Sequence, residues 1–225
     1  MARLTFFERN INTYKKAADV PKELIEKYTG ILPVELIEIW KNMGFGIYED
    51  GFLQLVNPEE YDFVFEYIDK LLEPSIVWAT TALGDMVMWV GNKGWTISPE
   101  EGNRNELINI RQCNSHVIGE MDFVLESVVG DEHGIKDKGY FASKPYLDVK
   151  GILPPLEYGQ CYGYVPAIVL GGSASIKNLK IIDVKSYIDV IGQTVGKIID
   201  LTKNKAESEV QFDRLNNNFA KKLKQ

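Results

Sequence analysis

Hydrophobic residues in the segment 31–44 recur at helical spacing. The apolar positions fall on one face of a helix, at Leu36, Ile37, Trp40 and Met43. Pro33 suits the first turn of such a helix, and Gly44 suits the left-handed residue that ends it. The pattern predicts a short amphipathic helix, followed by a short strand within residues 51–56.

A second helix is predicted to begin at Asn57. Asn57 is a favourable N-cap, Pro58 fits the first helical position, and Glu60 at the third position forms a variant of the capping box. The predicted buried stripe consists of Tyr61, Val64, Phe65, Ile68, Leu71 and Leu72. Five carboxylates recur every three or four residues roughly opposite this stripe, at Glu59, Asp62, Glu66, Asp69 and Glu73.

From Ser75 the apolar pattern becomes typical of β-strands. Strands are predicted at 76–81, 86–90, 95–97 and 106–111, with glycine-containing turns at 84–85 and 91–94 between the first three. Apolar residues at helical spacing then predict a helix from Met121 to about Gly130. The chain should therefore form a meander of antiparallel strands.

The C-terminal part of the chain repeats this mixture of strand and helix signals. The segment 158–172 contains a predicted strand that begins at Pro166 or lies at a sheet edge, because proline lacks the N–H that a ladder needs. A strand at 179–182 leads to Asp183, the predicted N-cap of a helix that should lie on the sheet. The buried face of this helix is predicted at Val184, Tyr187, Ile188, Ile191, Val195 and Ile198.

These elements predict an α+β fold, with a mainly antiparallel sheet flanked by helices in two closely packed lobes. The polar stretch 131–150 is the expected boundary between the lobes. We assign residues 1–135 to the N-terminal lobe and residues 140–202 to the C-terminal lobe. Residues 203–225 are a basic tail or a weak helix.

The charge balance indicates the kind of partner. The chain of 225 residues has 25 Lys and Arg against 32 Asp and Glu, a formal net charge of −7. Such a surface repels nucleic acid and anionic membranes and favours a basic partner. Neither a signal-peptide core nor an 18-residue apolar span is present in the sequence, so a cytoplasmic location is expected.

Catalytic chemistry is weakly indicated. A thiol nucleophile, Cys113 or Cys161, would need His116 or His133 beside it, and the spacing does not show this. The acids around His133 match no known set of metal ligands. We therefore predict no catalytic residue, metal site or cofactor. The sequence Gly171-Gly172-Ser173 offers backbone amides to an anion or, more simply, forms a tight turn.

The five carboxylates on the helix after Asn57 have two interpretations. A solvated amphipathic helix explains them, but lysines among the acids would stabilise such a helix, and only Lys70 lies nearby in the sequence. An acidic surface would instead steer and hold a basic protein. We take these five residues as the candidate surface for binding a basic protein partner. Asp131, Glu132 and Asp137, or the C-terminal lobe, are alternatives.

Two groups of motifs resemble known domains. The segment 32–40, with the motifs at 44–46, 50–53 and 56–61, resembles the GAD-related domain. The segment 161–167, with the motifs at 170–173 and 176–179, resembles the domain that follows it in DNase-neutralising immunity proteins of type VI secretion systems, the Tde/Tdi-type family. The two occur in the family order and together cover roughly residues 10–200.

This resemblance implies a cytoplasmic immunity protein whose partner is a cognate toxin, most simply a nuclease. It further implies that the protein blocks the toxin by occlusion, so that it is not an enzyme and uses no cofactor. Two other functions stay open from the residues themselves. One is a small-ligand sensor or adaptor that uses the glycine turn at Gly171, and the other is an unrecognised thiol enzyme.

Overall fold

A meander of antiparallel strands forms the centre of the molecule. The computed structural model describes residues 12–68, 74–91, 104–119, 121, 124–125 and 144–198. Within them, seven strands pair in sequence order, each antiparallel to its neighbour. They are β1 (Tyr14–Ala18), β2 (Phe45–Tyr48), β3 (Leu53–Leu55), β4 (Ser75–Thr81), β5 (Met86–Val90), β6 (Arg104–Asn109) and β7 (Asn114–Gly119). A separate antiparallel hairpin consists of β8 (Gln160–Tyr164) and β9 (Leu179–Asp183).

Helices connect and cover the strands. Two lie between β1 and β2, α1 (Lys22–Tyr28) and α2 (Val34–Met43). A 3₁₀ helix, Pro58–Glu66, lies between β3 and β4, and shorter 3₁₀ turns occur at Glu49–Gly51, Ile168–Leu170 and Ile176–Asn178. The C-terminal part contributes α3 (Lys144–Val149) and α4 (Val184–Val195).

The central strands are buried on both faces. Every residue of β4 and β5 is buried, so neither strand has a solvent-facing side. Side chains of one face, such as Trp78 and Trp89, pack in a cluster with residues of α1 and α2. Side chains of the other face, such as Met86 and Met88, pack with the 3₁₀ helix and α4. The sheet thus needs a covering layer from each end of the chain.

The hairpin β8–β9 is attached to the sheet by hydrogen bonds as well as by packing. The Tyr162 amide donates to the Ala82 carbonyl at 2.7 Å. The fully buried Gln54 amide donates to the Gln160 carbonyl at 2.6 Å and accepts from the Gly159 N–H at 2.8 Å. Because a buried amide needs partners for both of its ends, Gln54 fixes the hairpin against β3.

The α+β class and several elements agree with the sequence prediction. Helix α2 has the predicted buried face, and Gly44 ends it with φ of 78°. Asp183 caps α4, its carboxylate accepting from the Ser186 N–H at 2.7 Å. The strands at 75–81, 86–90, 104–109 and 179–183 correspond to predicted ones.

Other elements differ from the prediction. The segment 45–48, for which the sequence predicts no strand, is the buried strand β2. Gly46 is needed there because a Cβ would lie 2.4 Å from the Lys15 carbonyl oxygen of β1. Val195 was placed on the buried face of α4, but it is exposed at the end of the helix, and Ile198 is buried beyond that end.

Some predictions fall outside the described residues. These are the strand at 95–97, most of the helix predicted from Met121, and the tail 203–225. The expected connection 131–150 is described only from Lys144, where α3 begins. The division into lobes at 135 and 140 remains a prediction.

The shared core predicts how α4 contributes to stability. Replacing the fully buried Ile188 by alanine should lower the free energy of unfolding by about 2–5 kcal/mol, since it leaves a cavity against the sheet. Val190→Ala, on the exposed side of the same helix, is the matched control and should change it little. Urea unfolding should show one cooperative transition in both variants. A separate early transition for Ile188→Ala would contradict a common core.

Candidate functional site

The acidic segment after Asn57 is a 3₁₀ helix. Its buried residues are Pro58, Tyr61 and Val64, spaced by three as this helix type requires, rather than at the α-helical spacing predicted. Asn57 does act as N-cap, but its side chain accepts from the Glu59 N–H at 3.1 Å. The segment therefore presents a buried row and two outer rows of side chains.

The carboxylates divide between the two outer rows. Glu59 and Asp62 are three residues apart and share one row, while Glu60 and Glu66 belong to the other. All four are exposed. Asp69 and Glu73, the other members of the predicted group, lie outside the described residues. Glu59 and Asp62 are therefore neighbours on the helix surface, whereas Glu66 lies in the other outer row.

Lysines from distant parts of the chain partly neutralise this surface. Lys27 of α1 pairs with Glu59 at 2.6 Å, and Lys185 of α4 pairs with Glu60 at 2.8 Å. The hydrogen bond to Glu59 raises the pKa of Lys27, and the charge of Asp62 acts in the same direction. Within the described chain, neither Asp62 nor Glu66 forms a salt bridge. These two carboxylates are therefore the more available to a partner.

A groove opens on the sheet side of the α1–α2 connection. It has a volume of about 440 Å³ and is lined by residues 29–34, with Ile37, Glu38 and Lys41 of α2 and Trp89 of β5. Ile31 is 42% exposed and Val34 57% exposed, which is unusual for side chains of this size. Glu38 and Lys41 pair with each other at 2.8 Å, so the groove itself carries little net charge.

Trp89 of the groove has an unsatisfied polar atom. The residue is 95% buried, and its indole Nε1–H finds no acceptor among the described residues. A buried donor without a partner costs about 1–3 kcal/mol. No sequence pattern predicts this groove, because local spacing marks Trp89 only as a strand residue, and the groove depends on how α2 packs beside that strand.

A buried ion pair joins Asp85, just before β5, to Arg111 in the turn after β6. The Arg111 Nε lies 3.2 Å from each carboxylate oxygen of Asp85, and Nη2 also donates to Oδ2. Both side chains are at least 96% buried. Burial raises the pKa of Asp85, while the Arg111 guanidinium acts against this rise. Residues 26 positions apart meet here, and no sequence motif marks the pair.

Burial disfavours the reactive thiolate form of both cysteines. Both are free thiols, and burial raises the pKa of Cys161 and of Cys113. A raised pKa disfavours the thiolate that a nucleophile requires. His116 is exposed on β7, and His133 lies outside the described residues.

Other ligand sites are also unsupported in the described residues. No group of three or more His, Cys, Asp or Glu side chains there is placed to hold a metal ion. No helix there is long and apolar enough to cross a membrane. At the glycine turn, the Gly171 N–H donates to the Ile168 carbonyl and the Gly172 N–H to the Ala167 carbonyl. Both amides are used within the turn, so they are not available to an anion.

The alternative acidic surface cannot be placed. Asp131, Glu132 and Asp137 lie outside the described residues. Trp40, Trp78 and Trp89 are buried, and Trp95 lies outside the described residues.

Comparisons with known proteins identify two domains. Residues 4–100 match the family described as "GAD-like domain". Residues 131–195 match the family described as "T6SS immunity protein Tdi1, C-terminal". Both domains suspected from the sequence are confirmed, in the expected order. The second match supports a role as a type VI secretion immunity protein.

A solved structure shares the fold. The crystal structure of Atu4351 from Agrobacterium tumefaciens superimposes with a TM-score of 0.62 at 19% sequence identity. The similarity covers 84% of this chain and 87% of that chain. No curated protein matches the sequence.

The buried ion pair predicts a large effect of removing one partner. Arg111→Met should lower the free energy of unfolding by about 3–5 kcal/mol, because it leaves the Asp85 carboxylate buried without its counter-charge. Urea unfolding measures this loss. Adding Asp85→Leu to Arg111→Met should recover part of it. The control Lys41→Met breaks an exposed pair and should have a much smaller effect. Equal losses in the two single variants would refute the argument.

Proposed function

We propose that this chain, which joins a GAD-like domain to a Tdi1-type C-terminal domain, is an immunity protein that binds a cognate type VI toxin and occludes it. The observation that carries this proposal is the match of residues 131–195 to the Tdi1 immunity family. The fold is consistent with such a role, since its two covering layers present broad outer surfaces to a partner.

The proposal includes the nature of the toxin. We propose a nuclease, because an enzyme that cuts nucleic acid needs positive surface to hold phosphates. A chain with a net charge of −7 can compete for that surface directly. Such a nuclease would act on nucleic acid in the cytoplasm, so we place the immunity protein there as well.

Occlusion rather than chemistry is the proposed mode of action. The thiols are buried or shifted towards the neutral form, and the amides of the glycine turn are already bonded. An inhibitor that covers an active surface needs none of these groups. It needs a rigid scaffold and a surface of complementary charge and shape.

The proposed toxin-facing surface is the acidic 3₁₀ helix, with Glu59, Asp62 and Glu66 as its described members. Asp69 and Glu73 belong to the same proposal from their sequence positions. Asp62 and Glu66 are the stronger candidates, because Glu59 already pairs with Lys27. Exposed carboxylates at such a rim act chiefly on the association rate.

The first prediction concerns protection. The reading frame beside this gene should encode a nuclease toxin, and its induction in a test bacterium should degrade chromosomal DNA and stop growth. Co-expression of this chain should restore growth and keep the DNA intact. A gel of total DNA and a plate count measure the two effects.

Two results would count against the proposal. Undiminished killing in the presence of this chain would refute the immunity role. Protection from a toxin that leaves DNA and RNA intact would refute the nuclease assignment and leave the immunity role standing.

The second prediction concerns the acidic surface. The double variant Asp62→Lys/Glu66→Lys should slow association with the toxin by about ten-fold at low salt, because it reverses two charges that attract a basic partner. The difference should shrink at 0.5 M salt. Stopped-flow fluorescence measures the rate, and circular dichroism checks the fold.

The matched control is Asp148→Lys/Glu157→Lys. It makes the same change in net charge at exposed carboxylates of α3 and the loop before β8. We expect at most a two-fold decrease in the rate for this control. Equal decreases in both double variants would show that only net charge matters, and would remove the acidic helix from the interface.

A further inference from the structure

The groove beside α2 is the strongest unassigned feature of the molecule. It combines concavity with exposed apolar side chains. A groove of about 440 Å³ with Ile31 and Val34 at its edge and Ile37 in its wall can receive a large apolar side chain. Isolated exposed apolar residues need no explanation, but here they border one concave site.

The groove is next to the acidic helix. Lys27, which pairs with Glu59, stands two residues before Thr29, the first residue of the groove wall. The charges of Asp62 and Glu59 also act on Tyr28, whose pKa is raised mainly by burial. Tyr28 packs edge-on against Trp40 of α2, with ring centroids 5.7 Å apart. Lys27 belongs to the last turn of α1. A partner that contacts Asp62 beside Glu59 would therefore lie close to the end of α1, where the groove begins.

The charge distribution indicates the partner. Glu38 and Lys41 at the groove neutralise each other, whereas the neighbouring acidic row retains Asp62 without a salt bridge among the described residues. A segment bound across both regions would therefore place an apolar residue in the groove and basic residues beside it. The Trp89 side chain lies in the wall of the groove, so its surroundings would change when such a segment binds.

We infer that this groove receives an apolar anchor residue of the toxin, flanked by basic residues that face Asp62 and Glu59. The inference rests on the proposed immunity function and names the part of the surface that holds the toxin once it has been captured. Anchors seated in pockets act mainly on the dissociation rate, whereas charges at the rim act mainly on the association rate. The two regions should therefore be separable by kinetics.

The test uses the full chain and the toxin from the adjacent reading frame, inactivated by substitution in its catalytic site. The variant Ile31→Ser/Val34→Ser should raise the Kd at least ten-fold, mainly through faster dissociation in surface plasmon resonance. The matched control Ile152→Ser/Val190→Ser removes an exposed isoleucine and an exposed valine elsewhere, which are 69% and 52% exposed, and should stay within two-fold of the unsubstituted chain. Urea unfolding of both variants shows that the fold is retained.

The Trp89 indole resonance gives a direct readout of the site. It can be assigned in a nitrogen–proton correlation spectrum with Trp89→Phe, and it should shift when the toxin is added. In the isolated chain it should not change on dilution, since a dilution-dependent shift would mean that a second copy fills the groove and would overturn the inference.

The outcomes separate this inference from the proposed function. Tight toxin binding that Ile31→Ser/Val34→Ser leaves unchanged, or a Trp89 resonance that does not move at saturation, overturns the groove assignment alone. Failure of the unsubstituted chain to bind the toxin overturns both.

Discussion

The two apolar faces of the central sheet are the constraint on which the rest of this structure depends. Strands β4 and β5 have no solvent-facing side, so each face must be covered for the chain to fold. Helices α1 and α2 cover one face, and the 3₁₀ helix with α4 covers the other. Helix α4 lies in the segment that matches the Tdi1 C-terminal family, and β4 and β5 lie in the segment that matches the GAD-like domain, so the two matched segments pack in a common hydrophobic cluster.

Several polar or reactive side chains in the interior have structural contacts. Cys161 packs within the second core cluster, and Asp85 is closed off by Arg111. Gln54 uses both ends of its amide to attach the C-terminal hairpin to β3. These side chains connect distant parts of the chain. A partner protein can therefore contact only the outer surfaces of the covering layers. A rigid surface suits an inhibitor, because little conformational freedom is lost on binding.

An acidic region and an apolar groove are neighbours on that outer surface. The 3₁₀ helix carries exposed carboxylates, and the turn between α1 and α2 carries exposed apolar side chains around a groove. The Lys27–Glu59 pair links the two elements although they cover opposite faces of the sheet. Long-range attraction and short-range packing could thus act on one partner in succession, the first during approach and the second in the bound state.

The sequence by itself determined the α+β class, helix α2, the Asp183 cap and the strands after Ser75, because these depend on local periodicity and capping. It also placed the two domains in order through their motifs. It did not determine β2. The glycine at position 46 resembles a loop residue, and only the pairing of β1 with β2 shows that a side chain there would clash with the β1 backbone. The type of helix after Asn57 was also beyond local patterns, because apolar residues at spacings of three and four suit both helix types over so short a segment.

The surface that we propose for toxin binding likewise depends on both local spacing and tertiary packing. Local spacing singled out five carboxylates as candidates, but only the tertiary structure shows that Lys27 pairs with Glu59, one of the five, and that Lys185 pairs with the neighbouring Glu60, from 32 and 125 residues away. The groove also depends on tertiary packing, because its wall combines residues of α2 with Trp89 of β5. The Asp85–Arg111 pair likewise joins residues that are distant in the sequence. Periodicity records which side of an element is buried, whereas the partners of a side chain depend on how distant elements pack.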